Sequence, residues 1–115
     1  MSSRLQYITN WQDLAHRSGY NARALARLCE VSLRQLERFT LEVHGKTPRV
    51  SLREMRMQRA LELINERTPV KTVALCLAYK NAAHFSSDFK EFYGAPPSQY
   101  VSPNVAFIAF ELQVW

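Results

Sequence analysis

Arginine is the residue type in this chain whose spacing invites chemistry. Arg34 and Arg38 stand four apart with Glu37 between them, and Arg49, Arg53 and Arg56 follow at spacings of four and three. On a helix, residues three and four apart are neighbours, so each set gathers on one side. The planar guanidinium presents several donors in a fixed fork, which suits two acceptors at once, as on a carboxylate or a phosphate. The types that support catalysis or hold metals show no such order. His16, His44 and His84 are scattered, no Gly-rich phosphate loop is present, and Asp13 and Asp88 lack spaced carboxylate partners. No enzyme, cofactor or metal site is therefore expected. Cys29 and Cys76 have no CxxC partner, so neither a disulfide framework nor zinc is indicated, and both are read as small buried apolar residues in a reducing cytoplasm.

Composition narrows the partner. With 15 Lys and Arg against 10 Asp and Glu the net charge is +5, and the pI near 9.6 favours a polyanion, nucleic acid first. The surplus is uneven: 12 basic and 7 acidic residues stand up to Arg67, and three of each after it. A length of 115 residues fits one compact domain, or two very small ones sharing a connecting element. Met1 to Gly19 is polar and does not read as a signal peptide. The longest apolar run, VAFIAF at 105–110, falls short of the ~20 residues that span a bilayer, so no membrane is expected.

The elements that position the arginines are helices. SLRQLERFTLEVHG at 32–45 returns 49 residues later, in the same frame, as NAAHFSSDFKEFYG at 81–94. Each copy opens with a capping residue, Ser32 or Asn81, and closes with a glycine, Gly45 or Gly94. A short helix precedes each copy: one with Leu25, Leu28 and Cys29 inward, opened by Asn21 or a neighbour, and one opened by Thr68-Pro69 with proline in its first turn. An earlier helix through Trp11, Leu14 and Ala15 has Asn10 as its cap. Ser32-Leu-Arg-Gln35 and Ser51-Leu-Arg-Glu54 both have the form of a capping box, so the longest helix is expected from Ser51 to about Glu66. The chain thus reads as all-α, with two helix-turn-helix subdomains at 1–50 and 68–102, a connecting helix at 51–67 and an apolar tail at 103–115.

LARLCEVSLRQLERF, GKTP, SLREMRMQRALELI and VALCLAYKNAAHFSSDFKEFYGAPPSQY together resemble the DNA-binding domain of the AraC/XylS family of bacterial transcription regulators, over about Asn21 to Val101. The resemblance implies two helix-turn-helix units on a rigid connecting helix, each placing a recognition helix in one of two successive major grooves. It implies double-stranded DNA as partner, RNA polymerase as a further one, and a DNA-binding domain that is monomeric alone. Three departures stand out. Glu30 and Ala78 hold places where a turn glycine is usual, Thr40 replaces a core phenylalanine with Phe39 one residue earlier, and Ser87 replaces an arginine of the second recognition helix.

In the first recognition helix Leu33, Leu36 and Phe39 face inward, which leaves Arg34, Gln35, Glu37 and Arg38 on the remaining faces; by the resemblance Arg34, Glu37 and Arg38 match the family's base-contacting positions. Arginine can bond O6 and N7 of guanine together, and glutamate accepts from cytosine N4. The alternative is two solvated pairs, Arg34 with Glu37 and Arg38 with Glu42. By resemblance the matching residues of the second helix are Ala82, Ala83, His84, Ser86 and Ser87; His84 is either a contact or a packed residue at a helix start. Phosphate contacts are expected from Ser32, Arg49, Arg53, Arg56, Lys80 and Asn81, while pairing of the arginines with Glu54 or Glu62 is the alternative. A different reading of the whole chain is a helical protein-interaction module of the same fold, which the neutral second unit and the apolar tail would suit.

Overall fold

The computed structural model describes residues 3–100, and the tail at 103–115 lies outside them. Seven α-helices and one 3-10 turn make up the described residues, without a strand: α1 Ser3–Gln6, α2 Trp11–Arg17, α3 Ala22–Leu28, α4 Leu33–His44, α5 Pro48–Asn65, α6 Val70–Cys76, α7 Ala82–Tyr93 and the turn Pro97–Gln99. The chain divides into two compact units, 1–56 and 57–115, and the division falls within α5.

In the first unit α2 packs on α3 and α3 on α4. Leu14, Leu25, Ala26, Leu36 and Leu52 are buried, with Leu5 of α1 among them. α3 opens as expected, the Asn21 side chain accepting from the Ala24 N–H at 2.9 Å. α4 has the complete capping box: Ser32 Oγ accepts from Gln35 N at 3.1 Å and Gln35 Oε1 from Ser32 N at 2.8 Å.

In the second unit α6 packs on α7, and the Pro97–Gln99 turn on α7. Its core is aromatic. Phe85 and Phe89 are fully buried, and Phe89 touches Tyr93 and Tyr100 at ring separations of 4.7 and 5.3 Å. Tyr93 Oη donates to the Met57 carbonyl at 3.1 Å. Burial, and then the neighbouring Tyr100, pushes the Tyr93 hydroxyl pKa up.

Four helix ends share one closing motif. After α2, α3, α5 and α6, a residue at positive φ bonds its N–H to the carbonyl three back, and the next residue bonds to the carbonyl five back. This is the Schellman arrangement. Only the first of the four uses glycine, Gly19; the others use Glu30, Arg67 and Ala78 at φ 59, 68 and 67. Each side chain there crowds the following carbonyl, at about 1–2 kcal/mol. The two helix-turn-helix turns therefore keep their left-handed bend without the usual glycine. They differ in length: Glu30 lies two residues before its N-cap Ser32, whereas Ala78 lies three before Asn81.

Three expectations are corrected. α5 begins at Pro48 rather than Ser51, because Thr47 Oγ1 accepts from Val50 N at 3.3 Å and proline fits a first helical position. Ser51 is already helical, its N–H bonded to the Thr47 carbonyl at 3.0 Å, and its hydroxyl is buried with no partner. Pro69 is the residue before α6, at ψ 143, rather than inside its first turn. Leu28 and Cys76, both read as buried, are exposed. Each is the last residue of the first helix of its helix-turn-helix, and the following residue, Cys29 or Leu77, takes the inward place.

Candidate nucleic-acid interface

The inner side of α4 is fixed by Leu36, Phe39 and Thr40, all buried. Phe39 stacks on Trp11 at 5.9 Å, and Thr40 Oγ1 donates to the Glu37 carbonyl at 3.2 Å, so Phe39 and Thr40 both fit inside. Successive residues of a helix turn by about 100°. Arg34, Glu37 and Arg38 consequently lie within about 100° of arc, opposite Leu36. All three are exposed, and none forms a side-chain hydrogen bond or ion pair among the described residues. The same is true of Glu42, so neither Arg34–Glu37 nor Arg38–Glu42 is paired. Ser32, before this helix, is exposed while its Oγ serves the cap.

α7 repeats the frame with other side chains. Asn81 Oδ1 accepts from His84 N at 2.8 Å, and Phe85 and Phe89 bury the inner side. The arc that matches Arg34, Glu37 and Arg38 holds Ala83, Ser86 and Ser87; Ala83 and Ser87 are exposed and Ser86 is half-buried. His84 stands on the flank of that arc. Its ring meets Tyr79 edge-on at 5.3 Å, and its surface is exposed. Ala82 is turned toward the Phe85 and Phe89 side, half-buried, lining a cavity of about 230 Å³ with Lys71, Ala74, Leu75, Lys80 and Asn81. Helical rotation thus separates Ala82 from the other matching positions.

Among the cationic candidates, Arg49 and Lys80 are exposed, and Arg53 and Arg56 are half-buried. The Arg56 guanidinium lies over the Tyr20 ring, 5.5 Å from its centroid. Of the two acidic residues weighed as their partners, Glu54 accepts from Lys46 at 2.7 Å and Glu62 from Arg59 at 2.9 Å.

Sequence reasoning passed over three residues that geometry adds. Leu41 lies on the same arc of α4 as Arg34 and Arg38, and Lys90 takes the corresponding place in α7; continuing the three-and-four spacing by one step would have found both. Lys71 borders the cavity beside Lys80, nine residues away, a proximity that only folding creates. Among the described residues no group of three His, Cys, Asp or Glu could hold a metal ion, and no helix is long and apolar enough to cross a membrane.

Comparison with solved structures reports the same fold. A transcriptional regulator of Chromobacterium violaceum, described as an AraC-type DNA-binding domain-containing protein, aligns with a TM-score of 0.65 at 23% identity, over 78% of this chain and 84% of that one. The C-terminal domain of a two-component response regulator of Fusobacterium nucleatum aligns with a TM-score of 0.70 at 19% identity, over 81% and 92%. A DNA-binding transcriptional dual regulator of Escherichia coli K-12 aligns with a TM-score of 0.62 at 24% identity, over 83% and 92%. No curated protein matched the sequence. The family model described as "Helix-turn-helix domain" matches residues 25–102, from within α3 through the Pro97–Gln99 turn. The chain belongs to the helix-turn-helix domain family, in its AraC type.

Proposed function

We propose that the protein is a sequence-specific DNA-binding transcription regulator of a bacterial cytoplasm, with α4 and α7 entering successive major grooves of double-stranded DNA. The observation that supports this most is the arc of α4. Arg34, Glu37 and Arg38 are exposed opposite a packed face and unpaired among the described residues, and they are the residue types that bond guanine and cytosine edges. Solved relatives named as transcriptional regulators point the same way.

Arg34 and Arg38 read guanines, and Glu37 accepts from a cytosine amine. In α7, Ala83, Ser86 and Ser87 offer only small contacts, with His84 at the edge; Ala82 serves packing instead. Arg49, Arg53, Arg56 and Lys80, with the helix starts at Ser32 and Asn81, hold phosphates. One chain supplies both reading helices, so the domain binds as a monomer to a site that is not an inverted repeat. RNA polymerase is the further partner through which a bound regulator acts.

Selection of bound sequences from random DNA, followed by titration of the selected site against salt, tests the reading. A recovered motif with affinity falling steeply as salt rises supports it. No motif and a flat salt response would favour the other reading, a protein-interaction module, for which the small, uncharged Ala83, Ser86 and Ser87 of α7 speak.

A further inference from the structure

Leu41 is an exposed leucine in a charged neighbourhood. It is 53% exposed although the apolar side of α4, around Leu36 and Phe39, is packed elsewhere on the helix circumference. Counted from Arg34, it stands at the seventh place after positions three and four, so Arg34, Glu37, Arg38 and Leu41 form one continuous stripe along α4. Along the axis Leu41 lies about 4.5 Å beyond Arg38, slightly more than the 3.4 Å step between bases.

We propose that Leu41 is a specificity-determining residue that packs against the C5-methyl group of a thymine, one or two base pairs beyond the base read by Arg38. The inference rests on the reading of α4 as a recognition helix. In the major groove the thymine methyl is the one apolar feature on a base edge, and it is read by apolar side chains. Arg34 and Arg38 bring the stripe to a polyanion, and leucine then supplies the part of the code that charge cannot. In α7 the equivalent place holds Lys90, a donor to acceptors, so this position makes no methyl contact in the second helix.

The test is a cycle between protein and DNA, using the full chain on its selected site. Each thymine under α4 is replaced in turn by deoxyuridine, which removes the methyl and keeps the pairing. One replacement should weaken wild-type binding about fourfold, the factor that one buried methyl group corresponds to. The Leu41→Ala variant should bind the thymine site about as weakly and be indifferent to the replacement, while still discriminating at the Arg38 base pair. Its melting temperature should match the wild type, since the side chain is half outside the fold. A motif with no methyl-dependent position under α4, or a methyl effect that persists in Leu41→Ala, overturns the contact and leaves the regulator reading intact. Failure to recover any motif overturns both.

Discussion

The Tyr79 hydroxyl donates to the Asp88 carboxylate at 2.7 Å, tying the turn of the second helix-turn-helix to the middle of α7. Tyr79 is buried, its ring lies against both His84 and Phe85, and its N–H closes α6 on the Ala74 carbonyl. The turn that is one residue longer than its counterpart is therefore fastened at both ends by one side chain and its backbone.

Removing that hydroxyl alone should loosen the turn. A hydrogen bond to a charged group contributes about 1.5–3 kcal/mol when well sheltered, and this one is part-buried. Tyr79→Phe should lower the unfolding free energy by about 1–2 kcal/mol in a denaturant titration. An unchanged midpoint would show that water replaces the contact without loss.

The left-handed residues Glu30 and Ala78 should respond to glycine by gaining stability. Relief of about 1–2 kcal/mol of crowding exceeds the roughly 0.4–1 kcal/mol of added chain entropy in the unfolded state. Glu30→Gly and Ala78→Gly should each raise the unfolding free energy by about 0.5–1 kcal/mol. Thermal melts of the single and double variants check this, and a loss at either site would mean that its bend is not strained.

Two serines with the same local pattern should behave oppositely. Ser32 caps α4, so Ser32→Ala should destabilise by about 1 kcal/mol. Ser51 lies inside α5 with a buried, unpartnered hydroxyl, so Ser51→Ala should be neutral or stabilising by up to about 1 kcal/mol. Equal losses would restore Ser51 as a cap.

Tyr93 gives a pH dependence with a defined sign. Its folded pKa lies above the ordinary 10.0, so the fold favours the protonated phenol. The associated stability is present in full below the unfolded value and is lost as pH rises through the folded one. Wild-type unfolding free energy, followed from about pH 9 to about pH 11.5, should fall more steeply than that of Tyr93→Phe. Parallel curves would contradict the burial of that hydroxyl.

What could be read from sequence was what depends on near neighbours. The caps at Asn21, Ser32 and Asn81 were legible because each bond spans three residues. The start of α5 was misplaced because two start signals compete within five residues, and a proline after Thr47 nucleates the helix before Ser51 is reached. Leu28 and Cys76 were misread for a tertiary reason: an amphipathic pattern does not say where a neighbouring helix stops covering it. In the candidate site, periodicity put Arg34, Gln35, Glu37 and Arg38 outside and the family pattern singled out Arg34, Glu37 and Arg38, whereas Ala82 and His84 came from the family pattern alone and lie off the arc that helical rotation defines. The pairing of Lys71 with Lys80 around one cavity needed the packing of α6 on α7.

In the proposed function α4 reads bases through its exposed arginines, while α7 contributes little reading. In vitro selection with the wild type, Arg38→Ala and Ser87→Ala tests it most directly. Loss of one bidentate guanine contact is worth about 1–3 kcal/mol, so Arg38→Ala should bind the selected site about five- to 150-fold more weakly and lose its preference at one base pair. Ser87→Ala should leave the motif unchanged and the affinity within about tenfold, since it removes at most one neutral hydrogen bond. A motif that survives Arg38→Ala intact, or an equal loss in Ser87→Ala, would contradict the account.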